Sequence, residues 1–408
     1  MAIEDEGVFN HAGFKGLRNT VDAEGFELGD LDAATNVDID DAGDARLRRG
    51  HPAASVVGAA HSLWSDGNIC LAVVSGALTQ LNPDLSTVTL QSGLGDRPVS
   101  FDSPPGTGRV YWSNGVVSGV VEGGSARSWG LPVPARLSAF TGAGDMPPGR
   151  YQFAATYLRS DGQESGAPRA GEADLVYSGG LAVVLPPWPD DDVVELAFYV
   201  SKPNGSELYY ERSVSTGTPS VTVTHVPTGA RTLTTQHLSP PPAGDIVGYF
   251  GGRMYVASRG TLYPSRPYGY ELFDLREGIY YGGAEITLFA PVVDGVFVAA
   301  GQRTLYHAGR DPSIWEFATK ATYGAIPGTS YRDSAAALDP KGEGTCVIWA
   351  SSRGICAGFD GGRFINLTED RFAFPVQPAG AGVVRPWRGT QQFLTTLRGT
   401  EVPGNIAG

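Results

Sequence analysis

The residues whose types could do chemistry are scattered, and their spacing argues for structure. Asp38-Ile-Asp-Asp-Ala-Gly-Asp puts Asp38 and Asp40 at the first and third positions of a calcium-loop pattern and Gly43 at the sixth. The pattern then breaks, because position five is Ala42 and position twelve, which should supply a bidentate Glu, is Arg49. The flanks Asn-Val-Asp-Ile and Arg-Leu-Arg-Arg read as strands, so a β-hairpin with an Asp-Ala-Gly-Asp turn is the expectation. Acids lie on its incoming strand and Arg46, Arg48 and Arg49 on its outgoing one. Opposite charges across a strand pair support the register by about 0.2–1 kcal/mol. Because Arg is favoured at interfaces for its planar fork, Asp38, Asp40, Arg46, Arg48 and Arg49 are also the candidate assembly contact.

Other chemistry lacks its residues. Trp64-Ser-Asp-Gly-Asn is a distant echo of the Ser-Xaa-Asp-Xaa-Gly-Xaa-Thr-Trp box of glycan-cleaving enzymes, and a turn is the simpler role for Asp66. Paired carboxylates beside arginines at repeated strand ends, the mark of a catalytic channel mouth, are not visible. The six histidines, His11, His51, His61, His225, His237 and His307, lack the spacing that puts two imidazoles on one metal. Neither a phosphate-cradling Gly-Xaa-Xaa-Xaa-Xaa-Gly-Lys-Ser/Thr run nor a Gly-Xaa-Ser-Xaa-Gly elbow occurs. Cys70, Cys346 and Cys356 sit among strand-type residues and are expected to be buried, inert thiols. No catalytic residue, metal ligand or cofactor is therefore assigned.

The elements that would position any site are strands. Charged residues are only 18%, while 56 Gly and 29 Pro among 408 residues leave little room for long helices. The net charge of −13 and pI near 4.9 disfavour a nucleic-acid-binding module or an anionic membrane surface. The opening Met1-Ala-Ile-Glu-Asp-Glu-Gly lacks the basic flank and apolar core of a secretory signal, and no apolar run reaches the roughly 18 residues of a membrane span. Folding in a cytoplasm is the expectation.

One pattern recurs: a Gly turn, an apolar strand, a second Gly turn, and a strand carrying Leu or Tyr. Its clearest copy is Ser62–Leu81, continuing through Asn82-Pro-Asp-Leu; others lie at Arg109–Val121, Phe250–Tyr263, Val293–His307 and Thr345–Phe359. Strands covered on both faces read as such apolar runs, and copies roughly 40–50 residues apart match the blades of a β-propeller. The long gap between Leu131 and Ile246 is bounded by Leu131-Pro-Val-Pro-Ala and Ser239-Pro-Pro-Pro-Ala-Gly, which are stiff junctions. Between them, strands at short regular spacing read as an antiparallel sandwich. The expected fold is all-β: a β-propeller of about five or six blades with an inserted immunoglobulin/fibronectin-like β-sandwich. Its parts are 1–130 (N-terminal propeller part), 131–245 (sandwich) and 246–408 (C-terminal propeller part). Tyr268, Tyr270, Tyr280 and Tyr281 are assigned to the core by default, with subunit contacts as the alternative.

Thr35-Asn-Val-Asp-Ile-Asp-Asp-Ala-Gly, with the following Arg-Leu-Arg-Arg-Gly, resembles the N-terminal signature of many phage virion proteins. Tyr199-Val-Ser-Lys-Pro-Asn-Gly-Ser-Glu-Leu-Tyr-Tyr resembles their sandwich strand, and Gly252-Arg-Met-Tyr-Val-Ala with Leu262-Tyr-Pro-Ser-Arg-Pro-Tyr resembles one of their blades. The resemblance runs from about Phe9 to Gly324 and points to the tail nozzle, tail tubular protein B or head-completion plug group of short-tailed phages. It implies a structural virion protein in a sixfold homo-oligomeric ring below portal and adaptor, assembled in the bacterial host cytoplasm, through which double-stranded DNA passes without specific binding. Such a ring would carry formally −78, six times −13. An acidic wall repels phosphate where a basic one would hold it. A carbohydrate- or receptor-binding propeller module is the alternative expectation, and a glycan-cleaving propeller a third.

Overall fold

The computed structural model describes residues 13–398 apart from 36, 41, 48–57, 190, 191, 340, 376, 388 and 389. The chain is all-β, of propeller type with an inserted β-sandwich, and it forms two compact units. One unit is Val57–Ile286, and the other joins the two flanking stretches.

Five antiparallel sheets of blade type appear among the described residues. Three belong to Val57–Ile286. The first runs Ala60–Ser65, Cys70–Val74, Ala77–Leu81 and Thr87–Gln91; the second runs Ser100–Asp102, Arg109–Ser113, Ser118–Glu122 and Ser125–Ser128. The third runs Ile246–Phe250, Arg253–Ser258, Thr261–Arg266 and Gly269–Phe273, with Ile279–Tyr280 paired beside Thr261–Arg266. In each, the recurring sequence pattern is the central hairpin. Cys70–Val74 and Arg109–Ser113 are buried along most of their length, whereas the outermost Thr87–Gln91 is exposed or half-buried throughout. Central strands have sheet on both sides and neighbours on both faces, so their residues are apolar without alternation.

These sheets stack face to face. Leu71, Val73 and Leu78 of the first share a core with Phe101, Val110 and Trp112 of the second. Tyr111, Val120 and Trp129 of the second and its exit share one with Met254, Val256 and Phe273 of the third. The second and third sheets are also stitched directly. Ser100 Oγ accepts the Val247 N–H at 3.0 Å, and Asp102 accepts that of Tyr249 at 2.6 Å. The stacking thus continues across more than a hundred intervening residues, which makes the sandwich an insertion.

The sandwich has a three-stranded sheet, Ser138–Met146, Gly179–Val184 and Ser220–Val223. It faces a four-stranded one in the order Gly171–Leu175, Gly149–Arg159, Val193–Ser201, Leu208–Ser215. Alternate residues of both sheets, among them Tyr151, Phe153, Leu181, Val183, Leu196 and Phe198, meet in one core. Tyr151, near the start of its strand, turns its hydroxyl back to donate to the Pro147 carbonyl at 2.7 Å, which pins the turn leading into that strand.

The other unit holds two blade-type sheets. One runs Ile286–Pro291, Gly295–Ala300, Arg303–Ala308 and Glu316–Ala321, its first residue lying at the unit boundary; the other runs Tyr331–Ser334, Thr345–Ser351, Gly354–Phe359 and Phe364–Asn366. Phe297 and Tyr306 pack on Trp349, and Gly358 lies under the Phe297 ring, where a Cβ would stand 2.5 Å from a ring carbon. Asp360 accepts the N–H groups of Val293 and Thr345 at 2.8 and 2.9 Å, tying the turn of one sheet to the strand of the other. A long hairpin, Ala379–Trp387 with Thr390–Arg398, lays Val384 and Phe393 on the core around Ile348 and Phe359.

Candidate functional site

The hairpin expected around the Asp-Ala-Gly-Asp turn is present. Val37–Ile39 pairs antiparallel with Ala45–Leu47, and Asp38 stands directly opposite Arg46. Asp40 Oδ1 accepts the N–H groups of Ala42 and Asp44 at 3.1 and 2.9 Å, while Gly43 takes φ +80°. The carboxylate that a calcium loop would give to metal is therefore spent on the turn. Arg46 lies 3.6 Å from both Asp40 and Asp44 and is more than half exposed. Asp38 is paired instead with Arg385 of the last hairpin at 3.5 Å, and both are largely buried. Leu47, the last described residue of the outgoing strand, is 81% exposed. Arg48 and Arg49 lie outside the described residues.

A second charged cluster anchors the preceding segment. Asp30, its side chain fully buried, receives Arg18 at 2.8 Å on one oxygen and Arg371 at 2.6 Å on the other. The Arg18 hydrogen bond, the Glu27 N–H and the Arg371 pair outweigh burial and hold this carboxyl well below the usual range.

A third network joins the second blade-type sheet, the sandwich and the third sheet, and no sequence pattern announces it. Arg109 reaches Glu122 at 2.9 Å, Glu271 at 3.3 Å and Asp161 at 3.8 Å; Arg127 reaches Glu122 at 3.1 Å and Asp161 at 3.6 Å. The Tyr111 hydroxyl donates to Glu271 at 2.8 Å. Burial alone would raise the Glu122 carboxyl, but hydrogen bonds from Arg109 and Arg127 outweigh it and hold it below the usual range. Burial, reinforced by the Glu271 charge, pushes the Tyr111 phenol far up. These acids have countercharges at contact distance, which suits a joint between domains.

The remaining motifs resolve into structure. Asp66 accepts the N–H groups of Asn68 and Ile69 at 2.8 and 3.0 Å, forming the expected turn. Cys346 and Cys356 are buried, Cys70 is half-buried, and all three are free. Burial pushes the Cys346 and Cys356 thiols up to about 11. His307 is buried beside Trp315 and Phe317, and desolvation lowers it to about 4. His225 and His237 are exposed, His61 is half-buried against Ser62, and His11 and His51 lie outside the described residues. Among the described residues no group of three His, Cys, Asp or Glu side chains could hold a metal ion. Nor is any helix long and apolar enough to cross a membrane. Of the four tyrosines, Tyr270 is buried and Tyr281 half-buried, whereas Tyr268 and Tyr280 are exposed. Two surface hollows among the described residues are shallow. One of about 560 Å³ lies on the sandwich by Arg150, Asp174 and Asn204, and one of about 870 Å³ lies beside the Asp-Ala-Gly-Asp turn by Phe14, Asp44 and Arg46.

No family model matches the chain, and no curated protein matches it. Among solved structures it is similar to virginiamycin B lyase from Staphylococcus aureus, at 8% identity and TM-score 0.34, covering 83% of this chain and 95% of that one. It is also similar to the extracellular domain of the hybrid two-component system BT4673 from B. thetaiotaomicron, at 10% identity and TM-score 0.23, covering 82% of this chain and 52% of that one. A third similarity is to PorZ, a surface component of the type-IX secretion system of Porphyromonas gingivalis, at 11% identity and TM-score 0.18, covering 80% of this chain and 49% of that one. At such identities and overlaps these likenesses carry nothing about activity or partners.

Proposed function

We propose that the chain is a structural virion protein of a phage tail, a ring-forming nozzle or hub that builds the conduit for genome retention and ejection without chemistry of its own. The sequence signature at Thr35–Gly43 motivates this reading, and the observation that carries it is the hairpin it folds into. That hairpin is braced at Asp38 by Arg385 yet leaves Arg46 exposed beside its turn and Leu47 exposed at its open end, a charged and an apolar side chain on one short element. Such an element suits a head-to-tail contact, which closes a ring when its rotation closes. The neighbours in this reading are copies of the same chain in a sixfold ring, the portal and adaptor above, and double-stranded DNA in passage, repelled by the acidic wall. The test is Arg46→Glu: the variant should fold as the parent by circular dichroism and lose self-association and adaptor binding. Undiminished assembly by that variant would remove the hairpin from the account.

A carbohydrate- or receptor-binding tail module is the second reading, favoured by Tyr268. Its ring is 79% exposed and its backbone sits at φ +56°, where a bulky residue is strained. Tyr268→Ala should abolish any glycan binding found on an array if this reading holds.

A further inference from the structure

The segment that leads into the hairpin is held unlike the rest of its unit. Among the described residues from 13 to 47 only Gly29 and Gly43 are buried as whole residues, neither with a side chain to pack, and the buried side chain of Asp30 is charged. Val21 and Leu28 are exposed. The contacts between Asn19–Asp30 and residues 370–373 are polar. The Asn19 side-chain amide donates to the Ala373 carbonyl at 2.9 Å and accepts the Ala373 N–H at 2.8 Å. The Asn19 N–H donates to the Arg371 carbonyl at 2.8 Å, and the Thr20 hydroxyl to that of Asp370 at 2.8 Å. Asp30 closes the set through Arg371.

We propose that residues 13–31 form a detachable clasp, which opens from residues 370–373 as a unit while the blade-type sheets of the same unit stay folded, and that the Asp30 carboxylate is its latch. The difference from the sheets is physical. Ile348, Trp349 and Ala357 are at most 1% exposed, so opening their sheet exposes a core, whereas opening the clasp exposes polar groups that water can serve. The latch is ionic and shut away from solvent, so it fails when its charge is removed. Among the described residues the charged groups that face it are Arg18 and Glu27 of its own segment and Arg371 of the turn after Phe364–Asn366, with Asp370 acting on Arg18. Glu27 is itself occupied by Lys15 at 2.8 Å. With the Asp30 carboxyl held low, the latch is intact above about pH 4 and weakens as pH falls below that. The inference is independent of ring formation.

Amide exchange on the intact chain, read by mass spectrometry, tests it. At neutral pH, segments 13–31 and 370–373 should exchange together and at least tenfold faster than 345–359. Asp30→Asn should speed both a further ten- to hundredfold and leave 345–359 unchanged. Asn19→Ala, which keeps the latch, should give a smaller, parallel increase, and a disulfide from Asn19→Cys with Ala373→Cys should suppress the fast exchange. Exchange of 13–31 and 370–373 at unrelated rates would overturn the clasp. So would loss of protection at 345–359 in step with theirs.

Discussion

Arg109→Met tests the domain joint, because it keeps the apolar stem and removes one guanidinium that serves three acids. Glu271, whose side chain is 10% exposed, would retain only the Tyr111 hydroxyl, while Glu122 would keep Arg127 at 3.1 Å. Breaking a fully buried pair costs about 3–5 kcal/mol; with Arg109 partly exposed and Glu122 still paired, about 2 kcal/mol is expected. With a urea slope near 2 kcal/mol/M, that moves the midpoint down by about 1 M. Trp112 and Trp129 lie in the same unit and report its unfolding by fluorescence. The control is Arg150→Met, whose partner Asp174 is as exposed as Arg150 itself, and it should leave the midpoint essentially unmoved. Arg109→Met with Glu271→Gln should recover part of the loss, since the orphaned charge goes too. A single-variant shift no larger than the control's, or a double variant worse than the single, would refute the joint.

Three further outcomes follow from the packing. Gly358→Ala drives a methyl against the fully buried Phe297 ring and should cost about 1–3 kcal/mol, seen as a lowered melting temperature. Tyr151→Phe deletes the hydroxyl bond to Pro147 and should cost about 1 kcal/mol in denaturant titration. His307 binds its proton less readily folded than unfolded, so its contribution is whole above pH 6.5 and lost as pH falls to about 4. Stability should decline by up to about 3 kcal/mol across that window, and His307→Phe should flatten the decline.

The central hairpins were legible because burial on both faces writes itself as an apolar run. Gly295–Ala300 is buried throughout and reads as Gly-Val-Phe-Val-Ala-Ala. The strands flanking these hairpins were harder to read, since Ser100–Asp102 is three residues long and the exposed Glu316–Ala321 carries mixed chemistry. Though its register, Asp38 opposite Arg46, came only from the structure, the charged hairpin was readable as acids on one strand and arginines on the next, because turn residues and strand period are local signals. What braces it was not: Arg385 lies 347 residues further on. The Arg109–Glu271 contact spans 162 residues, and no local spacing encodes which acid a folded sheet brings to which arginine. The default of burial for aromatics held for Tyr270 and missed Tyr268, because a hairpin tip offers nothing to bury a ring against except its own Gly252 turn.

The most direct test of the ring-forming reading is the mass of the purified chain in solution, alone and mixed with a portal–adaptor complex from the same genome, by light scattering with negative-stain imaging. The account predicts a sixfold ring with an open axis, formed alone or on the adaptor. A persistent monomer at high concentration, indifferent to the adaptor, would contradict it.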